Sequence, residues 1–317
     1  MRVPERVGAA ALVLPFVLGA LSAASPSADD VVFRFGDSDI VESSGLAVVD
    51  GLFATVNDSG DSGRVFTVDP GSGDTVGVTS WSGDPTDVEA IAPAGDGQVW
   101  VGDIGDNRGS RDSVRIARVP VGRGDREVDV DWRDLTYPDG PRDAECLLAH
   151  PVTGRLLVIT KGALGGTVYA VPPSSDTLRP LASAPGLVTD GAFLPDGRHL
   201  ILRTYDRAFV YTYPAFEKVG SLDLPEQEQG EGLAVAPDGQ VYLSSEGSHQ
   251  PVLRVALPRS ALGPARGVSP PPPPTPAEAP APGPAEPAAD GATRWPWLAG
   301  GLALLVGGLL LGWRRLR

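Results

Sequence analysis

The stretch DVEAIAPAGDGQVWVG, residues 87–102, contains the pattern that decides the fold. Small residues precede a large apolar one, a Gly/Asp/Pro turn follows, and a second alternating segment completes two adjacent strands. The unit recurs as SSGLAVVDGLFATV (43–56), DAECLLAHPVTGRLLVIT (143–160), TDGAFLPDGRHLILR (189–203) and GEGLAVAPDGQVYLSS (230–245). The aligned apolar residues are Leu46, Ile91, Leu147, Phe193 and Leu233, at intervals of 45, 56, 46 and 40 residues. Intervals of this length are typical of four-stranded propeller blades.

The repeat predicts an all-β fold, a single β-propeller over residues 29–262. Most units continue with further strands, such as RVFTVDP and DTVGVTSW after the first unit and SVRIARVPV and EVDVDW after the second. A spare strand at Val31, VVFRFGD, is expected to complete the fifth blade and close the ring, which removes exposed sheet edges. Five four-stranded blades are therefore favoured. Six blades are the alternative, because the 56-residue interval has room for an extra piece, and an unclosed sandwich is the third possibility.

The N-terminal residues 1–28 have the pattern of a secretory signal peptide. Arg2 and Arg6 precede an apolar run over residues 7–21, and small residues follow it. An uncleaved N-terminal anchor is the alternative, although the apolar run is short for a membrane span. The expected compartment of the propeller is extracellular.

The C-terminal residues predict attachment to a membrane. Residues 263–293 are rich in Pro and Ala and are expected to form an extended linker. Residues 294–313 are expected to form one transmembrane helix, since no charge occurs from Trp295 to Trp313. The basic tail, residues 314–317, places the C-terminus in the cytoplasm. The sequence thus predicts a single-pass protein of the cell membrane with its propeller outside.

Composition restricts the classes of function. The formal net charge of −14 excludes nucleic acid as an expected partner. Cys146 is the only cysteine, so no intramolecular disulfide is expected. No G-x-S-x-G motif and no zinc-binding spacing are present. The remaining expected partners are the membrane and an unknown extracellular ligand or protein.

Polar residues are expected to converge at one mouth of the central channel. The first two strands of a blade are antiparallel, so the start of one and the end of the other share an edge of the sheet. The expected ligand-site residues at this edge are Glu42, Asn57, Asp58, Asp87, Asp143, Lys161, Asp190, Arg203, Tyr205, Glu231 and Glu246. Glu89, Glu145 and Glu231 occupy the same repeat position, which predicts a ring of carboxylates.

Such a ring needs compensating charge. Two carboxylates about 7 Å apart repel by roughly 2 kcal/mol at an effective dielectric of about 20. Lys161 and Arg203 offset part of this repulsion, and Ca²⁺ is the cofactor expected to offset more, because it prefers carboxylate and amide oxygens. The candidate metal ligands are Glu42, Glu89, Asp103, Asp106, Asn107 and Glu145. The alternatives are a metal-free polar ligand pocket and a purely structural role, with the carboxylates bonded to backbone N–H groups.

The segments ESSGLA, NDSGDSGRVFTVD, DVEAIA, VGDIGDN and YPDGPRDAECLL resemble those of actinobacterial secreted, membrane-anchored propellers of the WD40-like repeat type. The Trp-Asp dipeptide of true WD40 blades is missing. More distantly, the chain is similar to calcium-dependent propeller hydrolases of the gluconolactonase and senescence-marker type. This second resemblance implies a channel metal held by one glutamate and by Asn or Asp residues. Glu42 is the position that matches that glutamate.

Two functions remain open. The first is a cell-surface binding or scaffolding protein whose ligand occupies the acidic channel. The second is an extracellular calcium-dependent hydrolase of an ester, lactone or phosphate, with Glu89 or Glu145 as general base and Asp103 or Asp106 as a metal ligand. The hydrolase requires three or more carboxylates within metal distance of one point. The binding protein predicts acids paired with Lys161, Arg203 or backbone donors.

Overall fold

A computed structural model describes residues 30–58 and 60–262, which fold almost wholly into strands and turns. The predicted signal peptide, linker, transmembrane helix and basic tail lie outside these residues and stay predictions. No helix in the described part of the chain is long and apolar enough to cross a membrane.

The strands are as follows in chain order. The first are β1 (Val31–Arg34), β2 (Ser43–Val49), β3 (Leu52–Asn57), β4 (Arg64–Val68), β5 (Thr75–Trp81), β6 (Val88–Gly95) and β7 (Gln98–Asp103). Next come β8 (Val114–Pro120), β9 (Arg126–Val128), β10 (Arg133–Leu135), β11 (Ala144–Ala149), β12 (Leu156–Thr160), β13 (Gly166–Ala170) and β14 (Arg179–Ala184). The last are β15 (Asp190–Phe193), β16 (His199–Arg203), β17 (Arg207–Thr212), β18 (Lys218–Asp223), β19 (Gly230–Val235), β20 (Val241–Ser245) and β21 (Pro251–Val255), followed by a 3₁₀ helix (Arg259–Leu262).

These strands form five sheets, and the predicted five-bladed propeller is confirmed. The inner strands of the blades are β2, β6, β11, β15 and β19, and each pairs with the next strand in the chain. The fifth blade has the order β19-β20-β21-β1, so the N-terminal strand supplies its outer edge. Val31 of β1 pairs antiparallel with Leu253 of β21. The ring is therefore closed by the N-terminal strand, as its apolar pattern predicted.

The outer strand of the second blade differs from the prediction. Within the segment EVDVDW, Glu127 and Val128 belong to β9, which pairs in parallel with β5 of the first blade. The outer strand of the second blade is β10, which pairs with β8. Trp132 packs edge-on against Trp81, with ring centroids 5.9 Å apart, and this contact draws the segment onto the first blade. The 56-residue interval thus holds a crossing strand and not a sixth blade.

Neighbouring blades pack face to face, and their buried apolar side chains fill the space between them. Val56 of the first blade and Ile91 and Val101 of the second are buried in one such cluster. The inner strands approach closely, because a Cβ on Gly45 would lie 2.9 Å from the backbone nitrogen of Ile91. This close approach brings side chains at the strand starts of different blades into contact.

Candidate functional site

The predicted convergence of strand ends at one channel mouth is present in the structure. Val88 at the start of β6 pairs with Asp103 at the end of β7, and equivalent pairs occur in the other blades. An isolated bridge joins Glu42, before β2, to Glu246, after β20. The mouth therefore collects residues from the first strand starts and the second strand ends, and we call it the acidic mouth.

Three carboxylates of the acidic mouth form one cluster. One carboxylate oxygen from each of Asp58, Asp87 and Glu89 lies within 4.8 Å of the other two. Asp87 and Glu89 are only 9% and 4% exposed. The Oδ1 atom of Asp87 is buried and has no hydrogen-bond partner within the described part of the chain. We call these three residues the three-carboxylate site.

Two members of the three-carboxylate site, Asp87 and Glu89, have raised pKa values. Burial raises the pKa of Glu89 well above its usual range, and the nearby charges of Glu145 and Asp58 add to the effect. Burial and the adjacent Asp58 raise the pKa of Asp87 to about 7. A hydrogen bond of 2.7 Å from the Ser44 hydroxyl to Oε2 of Glu89 opposes the shift at Glu89. A cation binds the ionised form of such carboxyl groups, so its binding releases their protons.

Asp58 lies at the electrostatic centre of the acidic mouth. Its charge contributes to raised pKa values around the ring, namely those of Glu42, Asp87, Glu89, Asp143, Glu145 and Glu246. Burial is the largest cause in each case, and it raises the pKa of Glu246 to about 7. These acids belong to several blades, so the charge of Asp58 acts across more than one blade of the mouth.

A lysine compensates part of the negative charge in the neighbouring third blade. The Nζ atom of Lys161 lies 2.5 and 2.6 Å from the two carboxylate oxygens of Glu145. It also lies 5.4 Å from the ring centroid of Tyr205. Burial nevertheless raises the pKa of Glu145 to about 8. Burial also raises the pKa of Glu231 well above its usual range, with the charge of Glu145 as the next cause.

Asp103, a predicted metal ligand, is paired with two arginines and lies outside the three-carboxylate site. Its side chain is 0% exposed and forms ion pairs with Arg111 at 2.9 Å and Arg115 at 2.8 Å. Its two oxygens accept hydrogen bonds from the backbone N–H groups of Thr86 and Asp87, each at 3.0 Å. Burial would raise the pKa of Asp103, but these donors outweigh it and lower the pKa. Its oxygens are therefore already bonded by four protein donors.

The other predicted ligands after β7 also lie outside the three-carboxylate site. Asp106 accepts hydrogen bonds from the backbone N–H groups of Ser110 and Arg111, both at 2.9 Å. The side chain of Asn107 is exposed. Glu42 lies beside Glu246, where burial and the charge of Asp58 raise its pKa.

Several predicted mouth residues bond to the protein itself. Asn57 accepts hydrogen bonds from the backbone N–H groups of Val41 and Glu42, both at 3.2 Å. Arg203 is buried and donates to the carbonyl oxygens of Gly232 at 2.5 Å and Ser244 at 2.9 Å. These contacts connect the ends of the strands. Among the described residues, Asp58, Asp87 and Glu89 form a group whose geometry could hold a metal ion.

Sequence reasoning did not identify the residues that hold the carboxylates in place. Ser44, Arg111 and Arg115 bond to Glu89 or Asp103, and Gln227 accepts a hydrogen bond of 2.6 Å from Arg203. Arg111 and Arg115 follow the aspartate at no recognised motif spacing. Only the tertiary structure shows that they face it.

The far end of the channel has the opposite character. It is a cavity of about 390 Å³ lined by the ends of the inner strands, with Trp100, Leu148 and Phe193 among its walls. His150 also lines it, and the His150 Nδ1 atom accepts hydrogen bonds from the backbone N–H groups of Val152 and Thr153. Within the described residues, the charged side chains that line the channel lie mainly at the acidic mouth.

No family model and no curated protein matches the chain. Among solved structures, it is similar to a putative 6-phosphogluconolactonase from Bacteroides uniformis, with 14% identity, 68% of each chain covered and a TM-score of 0.38. Two structures of glucose dehydrogenase cover 71% of this chain and 99% of theirs, with identities of 12% and 13% and TM-scores of 0.46 and 0.45.

Proposed function

We propose that the acidic mouth binds a divalent cation, with Ca²⁺ the best-suited ion, and that the protein binds its ligand there in a cation-dependent manner. The observation that carries the proposal is the three-carboxylate site with its unpartnered Asp87 oxygen. Oxygens that bind one Ca²⁺ at about 2.3–2.6 Å are at most about 5 Å apart, and carboxylate oxygens of these three residues lie within that span. Asp58, Asp87 and Glu89 would hold the ion.

Ligand binding follows from the coordination needs of the ion. Ca²⁺ takes about 6–8 oxygen ligands, more than three monodentate carboxylates supply. Water or oxygen atoms of an extracellular ligand would complete the shell. A cation also neutralises carboxylates that repel one another when the site is empty of positive charge. Cation binding and ligand binding are therefore coupled in this proposal.

Calorimetric titration of Ca²⁺ into the chelator-treated, full-length protein in detergent tests the cation site. We expect binding of about one equivalent, and Glu89→Gln is expected to weaken it at least about tenfold because one anionic ligand is removed. The matched control is Glu217→Gln, which changes an exposed glutamate in the β17–β18 turn. Absence of heat and of any melting shift at millimolar Ca²⁺ would show that the cation site is wrong.

A metal-dependent hydrolase is the second candidate, favoured by the position of Glu145. Glu145 belongs to the same electrostatic cluster as Glu89, and its carboxylate is held by Lys161. A bound cation would polarise a carbonyl or phosphoryl oxygen of an ester. Glu145 would accept a proton from water, and its pKa of about 8 suits a base that works in mildly alkaline solution.

Glu145→Gln separates catalysis from binding. If the protein is a hydrolase, Ca²⁺-dependent turnover of nitrophenyl acetate, nitrophenyl phosphate or a simple lactone is expected to fall by about 10²–10⁴-fold in this variant, with Ca²⁺ affinity little changed. Wild-type activity is expected to rise with pH through about 8, as Glu145 loses its proton. Loss of Ca²⁺ binding together with activity would instead make Glu145 part of the binding site. No turnover by the Ca²⁺-loaded wild type would leave a binding protein.

A further inference from the structure

The segment at the end of β7 and just after it, residues 102–107 with the sequence GDIGDN, contacts the three-carboxylate site without supplying any of its carboxylates. The Oδ1 atom of Asp103 accepts a hydrogen bond of 3.0 Å from the backbone N–H of Asp87. The backbone N–H of Gly105 donates to the carbonyl oxygen of Asp87 at 3.1 Å. Both polar groups of the Asp87 backbone are therefore fixed by this segment.

Gly105 also sets the position of the side chains. A Cβ atom at Gly105 would lie 2.4 Å from Oδ2 of Asp87 and 2.7 Å from Cγ of Glu89. The Gly105 backbone is thus the wall against which both carboxylate side chains rest. Its φ is outside the left-handed region, so the missing side chain serves this close approach and not the backbone conformation.

Two arginines make the segment rigid. Arg111 donates to the carbonyl oxygens of Gly105 at 2.7 Å and Asp103 at 3.1 Å, besides its ion pair with the Asp103 carboxylate. Arg115 bonds the other carboxylate oxygen of Asp103 at 2.8 Å. The buried charge of Asp103 is paired and fully hydrogen-bonded, which lets it act as a fixed anchor.

We propose that Asp103 and Gly105 are positioning residues, which hold Asp87 and Glu89 in the arrangement that binds the cation. The inference rests on the cation site proposed above. Groups that orient metal ligands commonly change metal affinity by about 10–100-fold when they are replaced. Asp103, expected from its sequence position to bind the metal, would instead act through Asp87.

Gly105→Ala is the sharper test, because alanine suits the backbone and its Cβ atom displaces the two carboxylates directly. We expect Ca²⁺ affinity of the full-length protein to fall about 10–100-fold, while the melting temperature in chelator stays close to that of the wild type. The matched control is Gly71→Ala, whose Cβ would meet only Oδ1 of Asp69, at 3.2 Å. The control is expected to bind Ca²⁺ with wild-type affinity.

Asp103→Asn tests the anchor itself. The amide has one acceptor oxygen, so an N–H donor of the variant faces another donor, and Ca²⁺ affinity is expected to fall by a similar factor. Asp176→Asn, which removes an exposed partner of Arg133, is the control. Wild-type Ca²⁺ affinity in Gly105→Ala would overturn the positioning role and leave the cation site standing. Absence of Ca²⁺ binding by the wild type would overturn both proposals.

Discussion

Replacing Asp190 with alanine is expected to lower the melting temperature of the propeller by roughly 10 °C. Asp190 is 0% exposed, and its carboxylate accepts hydrogen bonds from the backbone N–H of Gly191 at 2.7 Å and of Leu233 at 2.6 Å. A third backbone donor is Leu46. These three donors belong to the inner strands of the fourth, fifth and first blades, where the ring closes.

The magnitude follows from the groups that the substitution would leave without partners. Each buried donor that loses its acceptor costs about 1–3 kcal/mol. Asp190→Ala leaves three such donors without an acceptor and removes the acidic group beside the buried Arg203. Losing about 3–5 kcal/mol in a domain of this size shifts the melting temperature by roughly 2–4 °C per kcal/mol.

Thermal melts of Asp190→Ala and Asp238→Ala make the comparison. Asp238 also accepts a backbone N–H, that of Gln240 at 3.0 Å, but it does so in an exposed turn of the fifth blade. Its replacement is expected to cost about 1 kcal/mol or less. If both variants melt within about 2 °C of the wild type, the bonds of Asp190 do not hold the blades together.

The blade count could be predicted from the sequence because every blade repeats the same inner hairpin. Leu46, Ile91 and the equivalent residues are buried at matching positions, so their spacing reports the repeat directly. The course of EVDVDW could not be predicted this way. Its alternating apolar pattern is compatible with a strand in the first or the second blade. Which blade it joins depends on which sheet edge is free and on the contact of Trp132 with Trp81.

The acidic mouth was predictable as a place, and the roles of its residues were not. Strand direction alone brings Asp87, Asp103 and Asp190 to one edge of the ring. Their roles depend on donors from other strands, since Asp103 meets two arginines and Asp190 meets backbone N–H groups of other blades. Asp87 keeps one oxygen without a partner in the described part of the chain. Aspartates that look alike in the sequence therefore have different roles. Their tertiary contacts decide which of them anchor strands and which are candidate metal ligands.

In chelator, the propeller is expected to become less stable as the pH rises from 6 to 8.5. Burial raises the pKa of Asp87 and of Glu246 to about 7 and that of Glu145 to about 8. In the unfolded chain these groups ionise near pH 4. Between the two values the folded state binds more protons than the unfolded state, so stability falls as the pH increases.

The expected fall in melting temperature is roughly 5–10 °C. Water at the mouth screens these charges, so each group is given only about 1 kcal/mol. Together these groups lower the free energy of unfolding by about 2–3 kcal/mol. Each kcal/mol lowers the melting temperature by roughly 2–4 °C. Burial lowers the pKa of His150, so this side chain makes stability rise with pH up to its unfolded pKa of about 6.5, which opposes the fall only at the start of the range.

Ca²⁺ is expected to reverse this loss, because the ionised carboxylates that destabilise the empty site are the form that binds the ion. The Ca²⁺-induced rise in melting temperature should therefore be small at pH 6 and large at pH 8.5. Glu89→Gln removes a buried carboxyl whose charged form the site disfavours, so in chelator at pH 8.5 its melting temperature is expected to be at least that of the wild type while it responds less to Ca²⁺. Glu217→Gln is expected to change neither the melting temperature in chelator nor the response to Ca²⁺.

If Glu89→Gln is less stable than the wild type both in chelator and in Ca²⁺, Glu89 supports the fold through its bond to Ser44 and has no cation to bind. Stability that rises from pH 6 to 8.5 in chelator would show that the mouth carboxylates are already compensated within the protein.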